Sequence, residues 1–589
     1  MNIESAQATL VSLEEEVTRQ TALVNELRTT NADARALDEA KKKLGELKKA
    51  LALSKGAGGS KEGKKKERLL LKTAKGTRDY GPSEMHCREH IERTVKSVFS
   101  LYGGSQLDTP VFERKDILTD KYGEDAKLIF DLMDQGGEQL ALRYDHTVPL
   151  ARWLAMQGSA VGASGQSKIW QVGKVYRRDN PVMSKGRMRE FSQADFDISG
   201  VWDPMIPDAE LISLLSTILS RLDVGDFMIK INHRKILDGI FEVCGVPPEK
   251  IRTISSAVDK LDKLPWADVK KEMTDEKGLD ESIADKIGEY VKLKGGPALL
   301  DQLKADETLM ANKSAKQGAD EMTILFTLLR AYRCLEKVSF DMSLARGLDY
   351  YTGLIYEAVV EASAPPGFKS ADALAGSTSP PAPKEKKKKT PKSTDGSVED
   401  DEEIDESQVG VGSIAAGGRY DNLVGSFLAS AAGDEKKAKG GLPCVGVSIG
   451  LDRVFAIVWP KWVERGTRTK DTVVYVMSAG DGLLEERIAL VRELREAGIT
   501  ADFLAKAKPK LPAQFLAGEK DEVPFAVILG GDELRQGLVT VKEQKWEMVP
   551  GQGKTKIESA DKGTQVKRSE LIDWLKTREG WKAWQGGEF

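Results

Sequence analysis

Tyr176–Asp197, YRRDNPVMSKGRMREFSQADFD, is the densest polar stretch of the 589-residue chain. Strand-like runs, Ile169–Tyr176 and Phe191–Ile198, flank a loop containing Asn180, Pro181, Ser184 and Gly186. That pattern predicts two antiparallel strands joined by a long turn. The stretch sets Arg177, Arg178, Arg187 and Arg189 beside Glu190, Asp195 and Asp197. Isolated charges are costly on a half-buried sheet. So many of them point to a polyanionic ligand, because guanidinium forks match phosphate oxygens. A mutually paired surface network is the competing reading.

Three more segments carry chemistry. Leu344–Glu357, LARGLDYYTGLIYE, puts Arg346 beside a glycine that lets backbone approach a ligand, with the phenols of Tyr350 and Tyr351 close behind. GGRYD spans Gly417–Asp421, and GVSIGLDRVF spans Gly446–Phe455, where a glycine-rich strand leads into a helix carrying Arg453. Each has a bland reading: tyrosine pairs are usually core, and an arginine at a helix start usually pairs with an acid. Two motifs are rejected. GGSKEGKK at Gly58–Lys65 ends in Lys where a phosphate loop needs Ser or Thr, and no strand precedes it. GVGSIA at Gly410–Ala415 follows a low-complexity tract rather than a strand.

Further out, the chain divides by composition. Residues 1–53 show apolar seams, Leu10, Leu13, Val17, Val24 and Leu27, then Leu37, Ala40, Leu44, Leu47 and Leu51, the spacing of an antiparallel helical hairpin turning near Thr29–Asp33. Lys41, Lys42, Lys48 and Lys49 lie off the second seam, a solvated face or a docking surface for RNA. Residues 54–70 form a flexible basic linker. Residues 71–235 and 336–462 alternate strand-like and helical runs around a charge-rich helical insert, 236–335. Residues 362–408, with a Lys386–Lys389 run and an acidic run at Glu399–Glu403, are disordered low complexity. Residues 470–589 form a small α/β unit: strands at Val473–Met477, Ala526–Leu529 and Val539–Val541, a helix facing inward through Leu484, Ile488, Val491 and Leu494, and a last helix with Leu571, Ile572, Trp574 and Leu575. The length suggests about three to five units.

Composition limits the class. The chain is 40% hydrophobic and 31% charged, with a formal net charge of −4. No uncharged apolar run approaches the ~18 residues of a membrane span. Cys87, Cys244, Cys334 and Cys444 form no CxxC, so buried, reduced thiols are expected rather than zinc or disulfides. Acids at Glu4, Glu14, Glu15 and Glu16 fit neither a transit nor a signal peptide, which makes the cytosol the expected location.

Together the segments resemble the class II aminoacyl-tRNA synthetases. KGTRDYGP at Lys75–Pro82 looks like the entry to the family's catalytic domain, and DTPVFE at Asp108–Glu113 like motif 1 with its proline, Pro110. Tyr176–Asp197 resembles motif 2, and GLDR at Gly450–Arg453 motif 3. RGLDYYTG and GGRYD are similar to segments specific to the histidyl family. Residues 1–53 resemble the WHEP-like hairpin appended to eukaryotic synthetases.

The resemblance implies an α/β multidomain fold: an antiparallel sheet flanked by helices, the helical insert, a C-terminal anticodon-binding domain and the N-terminal hairpin. It implies ATP and L-histidine as substrates, Mg²⁺ held mainly by phosphates with no metal-ligand residues, tRNA(His) as acceptor, a homodimer built through motif 1, and no membrane or DNA partner. It places Arg177 and Arg346 on opposite sides of the α-phosphate as catalytic cations. Arg453 would lie near the γ-phosphate, Glu190 and Phe191 at adenine, and Arg187 and Arg189 at the triphosphate or the tRNA end. Asp145, Thr147 and Gln193 would receive the histidine ammonium. Asp197 and Tyr351 would read the imidazole, with Tyr350 and Arg346 in the same pocket. His146, beside Asp145, is expected to point away from it. A non-catalytic RNA-sensing paralogue should have lost these charges, yet Arg177, Glu190, Arg346 and Arg453 remain. An enzyme for another amino acid should lack RGLDYY.

Overall fold

The computed structural model describes residues 15–27, 34–56, 71–118, 121–133, 136–157, 166–262, 264–345, 350–360, 412–433, 441–466, 470–480, 482–549, 553–557 and 563–586. The chain divides into two compact units, residues 1–72 and 73–589.

In the first unit, residues 15–27 are helical and a second helix runs Ala34–Gly56, three residues past the expected end of the hairpin. Val24 and Ala40 are buried, and the Gln20 amide donates to Ala40 O at 3.1 Å, so the expected seam is the face on which the helices meet. Lys41, Lys42, Lys48 and Lys49 are exposed. The expected turn and the linker from residue 57 onward lie outside the described residues, as does the 362–408 tract.

Up to residue 466 the second unit holds eleven strands among the described residues. In chain order they are β1 (Ser105–Gln106), β2 (Phe112–Arg114), β3 (Leu140–Leu142), β4 (Ser167–Tyr176), β5 (Glu190–Ser199) and β6 (Phe227–His233). They continue with β7 (Lys294–Gly295), β8 (Val338–Asp341), β9 (Leu354–Val360), β10 (Ala415–Arg419) and β11 (Cys444–Gly450). Nine of them form one sheet in the order β1-β4-β5-β11-β10-β9-β6-β8-β7, with β2 and β3 paired separately. The run from β4 to β6 is antiparallel throughout, whereas β1 joins β4 and β8 joins β6 in parallel, so the sheet is mixed toward its ends.

Side chains alternate across a strand, and β5 separates two environments by that rule. Ala194, Phe196 and Ile198 enter the core formed with the helices Pro82–Leu101 and Ile206–Arg221. Phe191, Gln193, Asp195 and Asp197 take the other face. Residues 234–331 are mostly helical and share that same continuous core. All four cysteines are free and buried.

The C-terminal part has β12 (Val474–Ser478), β13 (Ala501–Phe503), β14 (Phe525–Leu529) and β15 (Leu538–Glu543), the hairpin β16 (Trp546–Val549) and β17 (Gly553–Lys556), and β18 (Thr564–Lys567). Its main sheet runs β13-β12-β14-β15-β18. One expectation fails here. On the helix Leu484–Glu496 the inward face is Arg487, Leu490, Val491 and Leu494, while Leu484 and Ile488 are exposed. Arg487 is fully buried because its guanidinium donates to the carbonyls of Gly482, Leu504 and Lys506 at 2.7–2.9 Å. An apolar pattern cannot reveal a cation paired with distant loop carbonyls. The helix Leu571–Lys576 is followed by one more, Glu579–Gly586; on the former, Leu571 and Leu575 are buried, but Ile572 and Trp574 only partly so.

Candidate active site

β5 places three polar side chains in line. Across the β5–β11 register, Gln193 faces Gly450, Asp195 faces Ser448 and Asp197 faces Gly446. The glycine is required: a Cβ at Gly446 would lie 1.8 Å from Asp197 Oδ1. Tyr420, from GGRYD, donates its hydroxyl to that oxygen at 2.6 Å, and Tyr356 donates to Gly446 O at 2.7 Å. The Ser448 hydroxyl donates to Asp195 Oδ2 at 2.5 Å. Asp195 Oδ1 and Gln193 Oε1 are buried without a hydrogen-bond partner. Buried acceptors are normally satisfied, so two together mark a place where a donor ligand fits.

Asp145 approaches from the turn before the helix Thr147–Gln157. Its Oδ1 accepts the Tyr122 hydroxyl at 2.8 Å and the Val148 amide at 3.1 Å, the latter a helix-start contact. Among the described residues its Oδ2 accepts from the Tyr350 hydroxyl alone, at 3.5 Å. Tyr350 packs edge-on to Tyr351 and Tyr420, at 5.1 and 5.8 Å between centroids, and Thr147 hydrogen-bonds it. The Tyr351 ring lies against Gly418, where a Cβ would come within 2.9 Å. The structure thus brings Asp145, Thr147, Asp197, Tyr350 and Tyr351 into one cluster, beside Gln193 on β5. Tyr122, Asp195, Tyr356, Tyr420 and Ser448 were not on the sequence list. GGRYD contains Tyr420, GVSIGLDRVF contains Ser448 and LARGLDYYTGLIYE contains Tyr356, but nothing local identifies Tyr122.

Burial pushes Asp145 up, and pushes Asp195 well up, with Asp197 adding to it. Burial lifts Asp197 to about 7 despite the Tyr420 hydroxyl. His146 points away from Asp145, toward Gly173 O at 3.3 Å, and burial lowers it to about 3.

The cationic positions follow around this cluster. Arg177 lies over the rings of Tyr144 and Phe191, at 4.2 and 5.2 Å, and its Nε donates to Tyr144 O. This half-buried cation is held by the aromatic faces, and the nearby Tyr144, Asp145 and Asp179 stabilise its charge against burial. Arg189 is pinned by Asp179 O, and its stem fills the space beside Gly76. Glu190 pairs with Lys174 at 2.6 Å, and Arg453 donates to Ser413 O. Arg187 is exposed on the turn, and Arg346 lies outside the described residues. Asp452, next to Arg453, is a structural anchor: it accepts from Tyr80, from Arg88, and from Ser192 N at 2.6 Å. It thereby joins three of the quoted motifs.

The histidyl-tRNA synthetase family model matches residues 76–367, and an anticodon binding domain model matches 472–578. A histidine–tRNA ligase of Danio rerio is 45% identical over 568 residues, covering 96% of this chain and 98% of that one. The cytoplasmic histidine–tRNA ligase of Takifugu rubripes is 48% identical over 510 residues, 86% and 88% of the two chains. The chain belongs to the histidyl-tRNA synthetase family. Further relatives in that family carry mitochondrial names. The crystal structure of histidyl-tRNA synthetase from Nostoc sp. PCC 7120 superposes with a TM-score of 0.63 at 26% identity, covering 87% of this chain and all of that one. The shared architecture is the class II fold with its C-terminal anticodon-binding domain.

The titration of Asp197 gives a test of this buried acid cluster. A carboxyl raised in the folded state contributes stability that is complete below the unfolded value of about 4 and is lost as pH rises through about 7. Asp197→Asn removes that ionisation, so the fall in Tm between pH 5 and 8 should become shallower. Asp145 and Asp195 shift the same way and should leave a residual slope. Differential scanning calorimetry of both proteins decides it, and identical slopes would contradict the assignment.

Proposed function

We propose that this chain, an aminoacyl-tRNA synthetase, activates L-histidine with ATP and transfers it to the 3′ end of tRNA(His), using the acid-lined cluster as its amino-acid pocket. The observation that carries this is the set of under-satisfied buried acceptors, Gln193 Oε1, Asp195 Oδ1 and Asp145 Oδ2, beside the Tyr350–Tyr351–Tyr420 aromatics. In this reading Asp145, Thr147 and Gln193 take the ammonium, and Asp197 and Tyr351 read the imidazole, with Tyr420 orienting Asp197. A pocket of buried polar groups rejects amino acids that leave those groups unpaired.

The histidine carboxylate then attacks the α-phosphorus of ATP, and pyrophosphate leaves. Arg177, with Arg346 opposite, balances the charge that develops there. Arg453 serves the γ-phosphate, Glu190 and Phe191 the adenine, and Arg187 and Arg189 the triphosphate or the tRNA end. In the second step a terminal ribose hydroxyl of tRNA attacks the adenylate carbonyl and AMP leaves. Among the described residues no group of three or more acid, histidine or cysteine side chains is placed to hold a metal. Mg²⁺ fits here as a companion of ATP, held mainly by the phosphates and neutralising their charge. Charging of bulk tRNA with each amino acid in turn tests the reading: histidine alone should be attached, and attachment of another would overturn it.

The exposed Val111, Phe112 and Leu132, around the β2–β3 pair of motif 1, support a two-fold homodimer. The cytoplasmic name of the Takifugu rubripes relative supports a cytoplasmic location. Among the described residues no helix is long and apolar enough to cross a membrane. Lys41, Lys42, Lys48 and Lys49 supply an RNA-contacting face that meets phosphates without reading bases. Removing residues 1–60 should therefore leave histidine-dependent pyrophosphate exchange near normal and weaken aminoacylation through tRNA affinity, less so as salt rises. Light scattering should give twice the chain mass with and without the hairpin. Loss of exchange in a folded truncated dimer, or a monomeric active enzyme, would contradict this.

A further inference from the structure

The RGLDYYTG segment leaves β8 through Ser343–Ala345 and re-enters the sheet at Gly353, next to β9. Two buried polar side chains and the half-buried Arg234 hold the first end. The Asn232 side chain donates to Leu344 O at 2.9 Å, the Ser255 hydroxyl donates to Ala345 O at 3.1 Å, and Arg234 Nη1 donates to Ala345 O at 3.3 Å. Arg234 Nη1 also donates to Ser255 Oγ at 3.2 Å. The second end is held by the same residue: the Arg234 backbone amide donates to Gly353 O at 2.9 Å. One residue therefore spans both sides of the segment that delivers Tyr350 and Tyr351 to the pocket.

Arg234 is itself clamped. It opens the helix Arg234–Cys244, and Glu321, on the helix Lys313–Ala331, holds both of its neighbours. Glu321 lies 2.8 Å from His233 Nε2 and 2.6 Å from Lys235 Nζ. Against the burial that would raise it, these two partners hold the Glu321 carboxyl down at about 2. His233 and Asn232 are fully buried, and Ser255, on the helix Ile251–Val258, nearly so. Every group in this tether belongs to the end of β6 or to the helical segment 234–331. None of them touches the Asp145–Asp197 cluster directly.

We propose that Arg234, working through Ser255, is a positioning residue for the amino-acid pocket, by which the helical segment sets where Tyr350 and Tyr351 stand. The inference rests on the reading of that cluster as the histidine site. Its physical basis is the buried Ala345 carbonyl, which must be paired. The rigid guanidinium fork and the hydroxyl fix that carbonyl from two directions, which a flexible ammonium cannot copy. Displacement of a positioning segment by about 1 Å can cost up to about a hundredfold. Here the effect should fall on histidine and spare ATP.

The experiment is ATP–pyrophosphate exchange with the full-length chain, titrating histidine and ATP separately. Ser255→Ala and Arg234→Gln should each raise the histidine KM about tenfold, with the ATP KM within twofold of wild type. Ser255→Thr, which keeps the hydroxyl, should restore it. The double variant should be less than additive, because both groups share one acceptor. Equal rises in both KM values, tracking a drop in Tm, would mean a structural role only and overturn the proposal, as would an unchanged histidine KM. If Arg234→Gln does not fold, the Ser255→Ala and Ser255→Thr pair decides alone. A wild-type chain without histidine-dependent exchange would instead fault the pocket reading on which the inference rests.

Discussion

Arg177→Gln should slow single-turnover formation of the adenylate by about 10²–10³-fold, the usual effect of removing one fixed stabiliser of transition-state charge, with little change in histidine KM. The expectation comes from how the side chain is held. Two aromatic faces and one carbonyl fix the guanidinium at the edge of the pocket. A half-buried cation held in this way is poised for an anion that arrives with the substrate. Glutamine keeps a polar donor but loses the charge, so ground-state contacts should survive better than the rate. Rapid-quench measurement at saturating ATP and histidine checks this. A rate within threefold of wild type would remove Arg177 from the chemical step.

Gly446→Ala should raise the histidine KM by about a hundredfold while leaving the ATP KM nearly unchanged. A methyl group there would meet Asp197 Oδ1 at 1.8 Å and Cγ at 2.7 Å, far inside contact distance. Asp197 must then rotate away from Tyr420 and from the place assigned to the imidazole. Neither the backbone register of β5 and β11 nor the arginines need to move. Initial rates of exchange across histidine concentrations, with circular dichroism to confirm folding, provide the check. An unchanged histidine KM in a folded variant would place the side-chain pocket away from Asp197.

Much of this site was legible in the sequence because its parts are local. The β4–β5 pair follows from alternation and turn residues, and the structure extends it by only a residue or two at its outer ends. Asp145, Gln193, Asp197 and the tyrosine pair were candidates through the resemblance of short motifs to the family. What was not legible depends on contacts between distant segments. Tyr122 reaches Asp145 across 23 positions and Ser448 reaches Asp195 across 253. Asp452 joins Tyr80, Arg88 and β5, which no window of sequence contains. The parallel partners β1 and β8 escaped for a similar reason: two to four residues carry too little periodicity to be seen, and pairing alone makes them strands. Arg487 shows the same limit from the opposite direction, since a buried cation breaks the apolar pattern that located its helix.

The most direct test of the account is ATP–pyrophosphate exchange by the full-length chain, run with each of the standard amino acids in turn at physiological Mg²⁺. The cluster of Asp145, Gln193, Asp195 and Asp197 predicts exchange that depends on histidine and requires no tRNA. Exchange driven by a different amino acid, or none with histidine in a folded protein, would contradict it.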